Sequence, residues 1–175
     1  MPKTRKMLSD WDASYIQSLV KLIETQSKQT LANWAVDYAE NMILPLWIKY
    51  FPGDMRPQNS IDAARHWLAG SIKLPQAKKM ILECHAAARD AEAIPVAQAA
   101  ARAIGQSAST IHSARHCIGL ALYGTIALAY EQLGTDVPWR EIEQYAAQEC
   151  GRMEAALQRI SIDNEPNPAK ISWRC

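Results

Sequence analysis

Apolar residues recur at the helical interval along this sequence, and no stretch alternates β-branched and polar residues as a strand would. The first such stripe, Ile16, Leu19 and Ile23, follows Ser9, which is expected to cap the first helix. Prolines, which favour the first turn of a helix, stand near four later starts, at positions 57, 75, 95 and 138. The pattern predicts an all-α, single-domain bundle of about seven helices.

Two regions of this bundle have a distinctive composition. Alanine dominates residues 86–103, and small side chains let helix backbones approach to about 8 Å, so we expect a close-packed, alanine-rich helix pair over residues 75–111. Residues 113–133 are apolar nearly all round, which predicts the central helix. Residues 163–175 contain two prolines and are expected to form a loop-like tail, which leaves residues 1–162 as the helical domain.

Composition and charge exclude several classes of function. The 175 residues include 19 Lys+Arg and 18 Asp+Glu, so the chain lacks the concentrated positive charge that binding to nucleic acid or anionic lipid needs. The longest uncharged apolar segment, residues 117–130, is too short to cross a bilayer core of about 30 Å, and no export signal follows the basic start. We expect a cytoplasmic protein with reduced thiols at Cys84, Cys117, Cys150 and Cys175.

Two histidines, His112 and His116, stand four residues apart, a spacing that can place two metal ligands on one helix face. A metalloprotease helix would carry glutamate at the next position, where this chain has Ser113. The nearest further metal ligands in composition are the consecutive residues Glu83-Cys84-His85. Histidine pairs at this spacing more often hydrogen-bond within a core or contact a partner than bind a metal ion. We therefore keep these three histidines as weak metal candidates and predict no catalytic residue and no cofactor.

Charged residues also interrupt the apolar faces of the predicted helices. An unpaired buried charge costs several kcal/mol, so these residues are expected to pair, either in a network that fixes helix packing or in a patch that contacts a partner. With the histidines, the candidates are Asp37, Glu40, Asp62, Arg65, His85, Arg89, Arg102, His112 and His116. Tryptophans at the ends of predicted elements, which suit partner contacts, are Trp11, Trp139 and Trp173.

A series of short motifs runs through the middle of the chain. They are Leu31-Ala32-Asn33-Trp34-Ala35-Val36-Asp37-Tyr38-Ala39-Glu40, Leu44-Pro45-Leu46, Arg56-Pro57, Ala63-Ala64-Arg65, Trp67 with Gly70, His85-Ala86-Ala87-Ala88-Arg89, Ala101-Arg102-Ala103, Gly105-Gln106, Thr110 with His112, and His116 with Tyr123. In this order and spacing, over residues 31–130, they resemble the immunity-five-like family of bacterial immunity proteins from polymorphic toxin systems.

The resemblance implies an all-helical cytoplasmic protein that neutralises a cognate toxin by stoichiometric binding and is not an enzyme. Two other functions stay open from the residues themselves. One is a helical protein that binds a metal or small ligand through His85, His112 and His116. The other is a homo-oligomeric helical scaffold, in which the alanine-rich face packs between copies.

Overall fold

The structure, a computed structural model, describes residues 4–173, and every regular element within them is helical. The helices are α1 (Ser14–Ile23), α2 (Lys28–Tyr38), α3 (Leu44–Tyr50), α4 (Arg56–Leu68), α5 (Leu74–Asp90), α6 (Pro95–Ser109), α7 (Thr125–Leu133) and α8 (Trp139–Ile160). A π-helical turn (Ala39–Ile43) joins α2 to α3, and residues 114–124 lead without a break into α7. The described part therefore has seven continuous helical segments, which confirms the all-α prediction.

Local sequence signals place most helix starts correctly. Pro57, Pro75 and Pro95 lie in the first turns of α4, α5 and α6, where a missing backbone N–H costs nothing. The expected start of α1 after Ser9 is wrong. Asp10 Oδ1 accepts the backbone N–H of Asp12 at 3.2 Å, and this side-chain turn delays the helix until residue 14.

The alanine-rich pair and the central segment form the interior of the bundle. α6 contacts α2, α3, α4, α5 and α7, and most of its residues are buried. The Cys84 thiol of α5 lies 3.3 Å from the Ala101 carbonyl oxygen of α6, which confirms the close packing of this pair. Residues 114–133 share the centre, with Leu120 and Ile126 fully buried. Because the alanines of α6 are buried within one chain, that face is not available to a second copy.

The cysteines lie in the apolar interior. Cys84, Cys117 and Cys150 are free and buried, and Cys175 lies outside the described residues. Burial raises the pKa of the Cys84 and Cys150 thiols to about 12 and also raises that of Cys117. These thiols therefore stay protonated and unreactive at neutral pH. No helix within residues 4–173 is long and apolar enough to span a bilayer.

Residues 161–173 contain no helix, and they lie against the start of α2. The Glu165 carboxylate accepts hydrogen bonds from the Ser27 backbone N–H at 2.7 Å, the Ser27 hydroxyl at 2.8 Å and the Thr30 hydroxyl at 2.6 Å. The Ala169 N–H donates to the Gln26 carbonyl oxygen at 2.8 Å. A negative charge at a helix N-terminus is favourable, so Glu165 both caps α2 and anchors the tail.

Replacing Glu165 with glutamine is expected to destabilise the protein by about 1 kcal/mol, because charge-assisted hydrogen bonds to Ser27 and Thr30 become neutral ones. Urea unfolding measures the loss of stability, and limited proteolysis measures release of the tail. Glu141→Gln, at an exposed position in the first turn of α8, is the matched control and should change stability by less than about 0.5 kcal/mol. Equal effects of the two substitutions would contradict an anchoring role for Glu165.

Candidate interaction surface

The predicted charged candidates form separate contacts instead of one network. Arg65 of α4 donates from Nη2 to Asp37 Oδ1 at 2.8 Å and from Nε to Glu40 Oε2 at 3.1 Å. Partial burial of Arg65 acts to lower its pKa, but the hydrogen bonds that it donates to Glu40 and Asp37 together raise that pKa. Since the Asp37 side chain is 54% exposed, this cluster joins the end of α2 to α4 at the surface and not in the core.

Two further candidates stand apart from that cluster. Asp62 Oδ1 accepts from the Gln58 side chain at 2.9 Å, one turn earlier on α4. Arg89 is exposed on the last turn of α5, one turn beyond His85. Neither Asp62 nor Arg89 therefore connects the Arg65 cluster to the histidines.

His85 lies flat against the backbone of α6. A Cβ at Gly105 would lie 2.6 Å from Cε1 of the His85 ring, so only glycine allows this contact. Arg102 Nη1 lies 3.2 Å from His85 Nδ1. Burial, followed by the positive charge of Arg102, lowers the pKa of His85 to about 4. The ring is therefore neutral at pH 7, and its Nδ1 accepts a hydrogen bond from the guanidinium.

His116 has a comparable arrangement with Gln106. Its Nδ1 lies 2.8 Å from Gln106 Oε1, and a Cβ at Gly119 would lie 2.6 Å from Gln106 Cγ. His112 is not on a regular helix with His116, because α6 ends at residue 109 and the next helical turn begins at residue 114. The two rings nevertheless meet edge to face, with centroids 5.1 Å apart. Burial lowers the pKa of both imidazoles.

The register of the helices links these two arrangements. Gln106 contacts Gly119, and Gly124 approaches Ala103, so α6 runs antiparallel to residues 114–124. Arg102 lies four residues before Gln106, and Tyr123 lies four residues after Gly119. Arg102 and Gln106 therefore share one face of α6. Arg102 contacts His85 of α5, and Gln106 contacts His116.

A groove runs beside Gln106 and His116, between the N-terminal segment and the tail. Its two parts, of about 390 and 410 Å³, share Arg115 and His116. The Trp11 and Trp173 rings form one wall, with centroids 5.3 Å apart, and Trp173 Nε1 donates to Glu24 Oε1 at 2.8 Å. We call this feature the histidine groove, and its principal lining residues are Met7, Trp11, Gln106, His116, Tyr123 and Trp173.

Among the described residues, Arg115 and Lys170 are the basic side chains that line the groove. Burial lowers the pKa of the His116 imidazole beside them. Within residues 4–173 no three His, Cys, Asp or Glu side chains are grouped to hold a metal ion. His85, one of the metal candidates, points its Nδ1 at a guanidinium, which would repel a bound cation.

The sequence did not predict a second hollow, of about 260 Å³, between α2 and α8. Its rim carries two apolar side chains that are largely exposed, Met42 at 45% and Ile160 at 43%. Burial raises the pKa of Tyr38, which also lines it, to about 12, and the nearby Glu149 adds to the shift. The π-helical turn (Ala39–Ile43) presents Met42, and sequence patterns give no sign of such a turn.

The third tryptophan candidate, Trp139, lies away from the groove. The Arg5 guanidinium covers its ring, 4.3 Å from the centroid, at the start of α8. Trp11 and Trp173 are therefore the two candidate tryptophans that line the histidine groove.

The fold and these surfaces define an all-α protein that presents an aromatic-walled groove lined by His116 and Gln106. Comparison with known proteins adds a family model, described as Imm-5 like putative immunity protein, which matches residues 21–156. The chain belongs to this family of immunity proteins. Searches of curated proteins and of solved structures found no match. The match covers α2 to α7 and most of α8, including all the histidine and arginine candidates.

Proposed function

We propose that this protein protects a bacterial cell by binding a cognate toxin stoichiometrically in the cytoplasm, without catalysing a reaction. The observation that carries the proposal is the match to the immunity-protein family over residues 21–156. The family implies a toxin partner in general terms, and the surface depressions of residues 4–173 include the histidine groove and the hollow between α2 and α8.

The surface supports binding as the mode of neutralisation. Tryptophan, tyrosine and arginine contribute most to the affinity of protein interfaces, and the histidine groove has all three. An interface of standard size buries about 1,600 Å² in total. The groove and its rim, together with neighbouring exposed side chains, can supply one side of such an interface.

Colony survival in a heterologous bacterium tests the proposal. The gene next to this one in its native genome is expressed alone and together with this protein. We expect the neighbour to kill cells when alone and this protein to restore colony numbers. The purified pair should then form a complex whose mass, measured by light scattering, equals one copy of each chain. A harmless neighbour, or one that kills regardless of this protein, would contradict the immunity role.

The catalytic and ligand-binding alternatives predict a different result from the same cells. An enzyme that destroys the toxin or its product would protect when present at far fewer copies than the toxin. We expect protection to fail once toxin exceeds this protein in a titration of the two promoters. Protection at a large excess of toxin would overturn the stoichiometric mechanism while leaving the immunity role in place.

A further inference from the structure

We infer that residues 163–173 form a strap that opens and closes over the histidine groove while the rest of the bundle stays folded. The inference concerns a motion of this chain alone, so it goes beyond the proposed function and does not depend on a toxin. In the closed form, Trp173 lies against Trp11. In the open form, the floor of the groove, which includes Gln106 and His116, is uncovered on the side of the strap.

The strap contributes no residue to the buried core, which is the first argument for its motion. Every residue from 163 to 173 is exposed or half-buried, including Ile171 and Trp173, which touch the core. The opposite wall of the groove differs, because Leu8 is 1% exposed and donates its N–H to the Leu122 carbonyl oxygen at 2.9 Å. Segments with few buried apolar contacts open at a lower free energy than the core does. The strap is therefore the wall that moves.

Hydrogen bonds to the start of α2 hold the strap closed. The Glu165 carboxylate accepts from the Ser27 backbone N–H at 2.7 Å and from the Thr30 hydroxyl at 2.6 Å. The Ala169 N–H donates to the Gln26 carbonyl oxygen at 2.8 Å. When the strap leaves, these groups reach water, so each bond is exchanged for bonds to water and its loss has a small net cost.

The hinge of the strap lies just after α8. Ile162 is fixed, since its N–H donates to Gln26 Oε1 at 2.9 Å and its carbonyl oxygen accepts from Gln26 Nε2 at 3.2 Å. Gln26 is 2% exposed, so this pair of bonds belongs to the interior. Beyond it, two prolines restrict the backbone between Glu165 and Ala169. The strap therefore turns as one unit about residues 163–164, and its attachments break together.

The closed strap leaves an unfilled space beneath it. A hollow of about 410 Å³ lies between residues 170–172 of the strap and residues 113–116. Segments that belong permanently to a protein interior pack without gaps of this size. The strap instead spans the space between its attachment at Glu165 and the aromatic contact of Trp173. Since His116 lines the hollow, its accessibility to solvent reports whether the strap is open.

Native-state hydrogen exchange in the whole chain tests the motion. The amide probes are Ala169 in the strap, Leu8 in the opposite wall and Ile104 in the buried middle of α6. After correction for intrinsic rates, we expect Ala169 to exchange at least about 100-fold faster than Ile104. Low urea concentrations should barely change the Ala169 rate, because opening the strap exposes little surface. Leu8 should exchange more slowly than Ala169.

Three outcomes of this measurement would overturn the inference. Exchange of Ala169 at the rate of Ile104 would show that the strap opens only when the whole chain unfolds. Exchange of Ala169 without any protection would show that the strap is never closed. Exchange of Leu8 as fast as Ala169 would show that both walls open together.

Two substitutions weaken the attachment of the strap from opposite sides. Glu165→Gln turns charge-assisted hydrogen bonds into neutral ones, and Thr30→Val removes a hydroxyl donor from α2 while leaving the strap unchanged. Each should raise the exchange rate of Ala169 about fivefold, and the control Glu141→Gln should leave it unchanged. An unchanged rate in both variants would overturn Glu165 as the attachment that keeps the strap closed.

Chemical modification then tests whether the strap controls access to the groove. Diethyl pyrocarbonate reacts with neutral imidazoles, and peptide mass spectrometry gives the rate at each histidine. We expect His116 to react at least about threefold faster in Glu165→Gln than in the wild type. His66, which is exposed on α4, should react equally in both proteins. Equal rates at His116, with faster exchange at Ala169, would show that the strap moves without controlling the groove, which would overturn its role as a gate.

Discussion

Gly119→Ala is expected to destabilise the protein by about 3 kcal/mol. The new methyl group would lie 2.6 Å from Gln106 Cγ and closer still to its Cβ. The Cβ of Gln106 is fixed to the backbone of α6, so no rotamer change relieves the clash, and α6 must move away from residues 114–124. The better helix propensity of alanine, worth about 1 kcal/mol, offsets only part of this cost. Thermal unfolding should show a melting temperature lower by roughly 9 °C.

Gly151→Ala is the matched control for this experiment. Gly151 lies in the middle of α8, where it is exposed and an added Cβ meets nothing within 4 Å. The same substitution there should stabilise the protein by about 0.7 kcal/mol, through helix propensity alone. A fall of stability at both positions, or at neither, would show that the close approach of Gln106 to Gly119 is not what holds this region together.

Stability is expected to fall by about 2 kcal/mol as the pH drops from 6.5 to about 4, because of His85. Burial and the charge of Arg102 lower the pKa of His85 to about 4 in the folded chain, while the unfolded chain keeps the ordinary value of 6.5. Between these values the unfolded state binds a proton that the folded state does not, so stability rises with pH. Above about pH 6.5 His85 is neutral in both the folded and the unfolded state, so it no longer makes the free energy of unfolding depend on pH.

Urea unfolding between pH 4 and pH 7.5 measures the slope of the free energy of unfolding against pH. Two histidine variants then test whether His85 causes this slope. His85→Gln should flatten the slope, whatever its effect on stability at pH 7. His66→Gln is the matched control, because His66 is exposed on the last turn of α4, and it should leave the slope unchanged. An unchanged slope in His85→Gln would show that another group carries the pH dependence. His112 and His116 shift in the same direction and should add to it.

Residue patterns predicted that the charged side chains would find partners, but they did not predict which partner each side chain would contact. The expectation that Asp37, Glu40 and Arg65 find partners follows from the cost of an unpaired charge near a core, and the three side chains do meet. Asp62 shows the limit of that reasoning, since it bonds Gln58 of its own helix. Which carboxylate faces which guanidinium depends on how α2 crosses α4, and no local pattern encodes that crossing.

The histidines show the same limit. Their spacing suggested two ligands on one helix face, whereas the chain leaves the helix between α6 and residue 114 and still brings the two rings edge to face. His85 reaches α6 because Gly105 opens space for its ring. The sequence shows Gly105 as a small residue among alanines and gives no sign of which side chain occupies the space.

The sequence by itself determined the helical class, the close-packed alanine-rich pair, the buried central segment and most helix starts. Those features follow from interactions within a few residues along the chain, such as apolar spacing and the position of proline. Only the tertiary structure decided the histidine groove, which joins residues as distant as Met7, Gln106 and Trp173, and the hollow between α2 and α8. Helix packing sets such contacts between residues far apart in the chain, so they exist only once the bundle has formed.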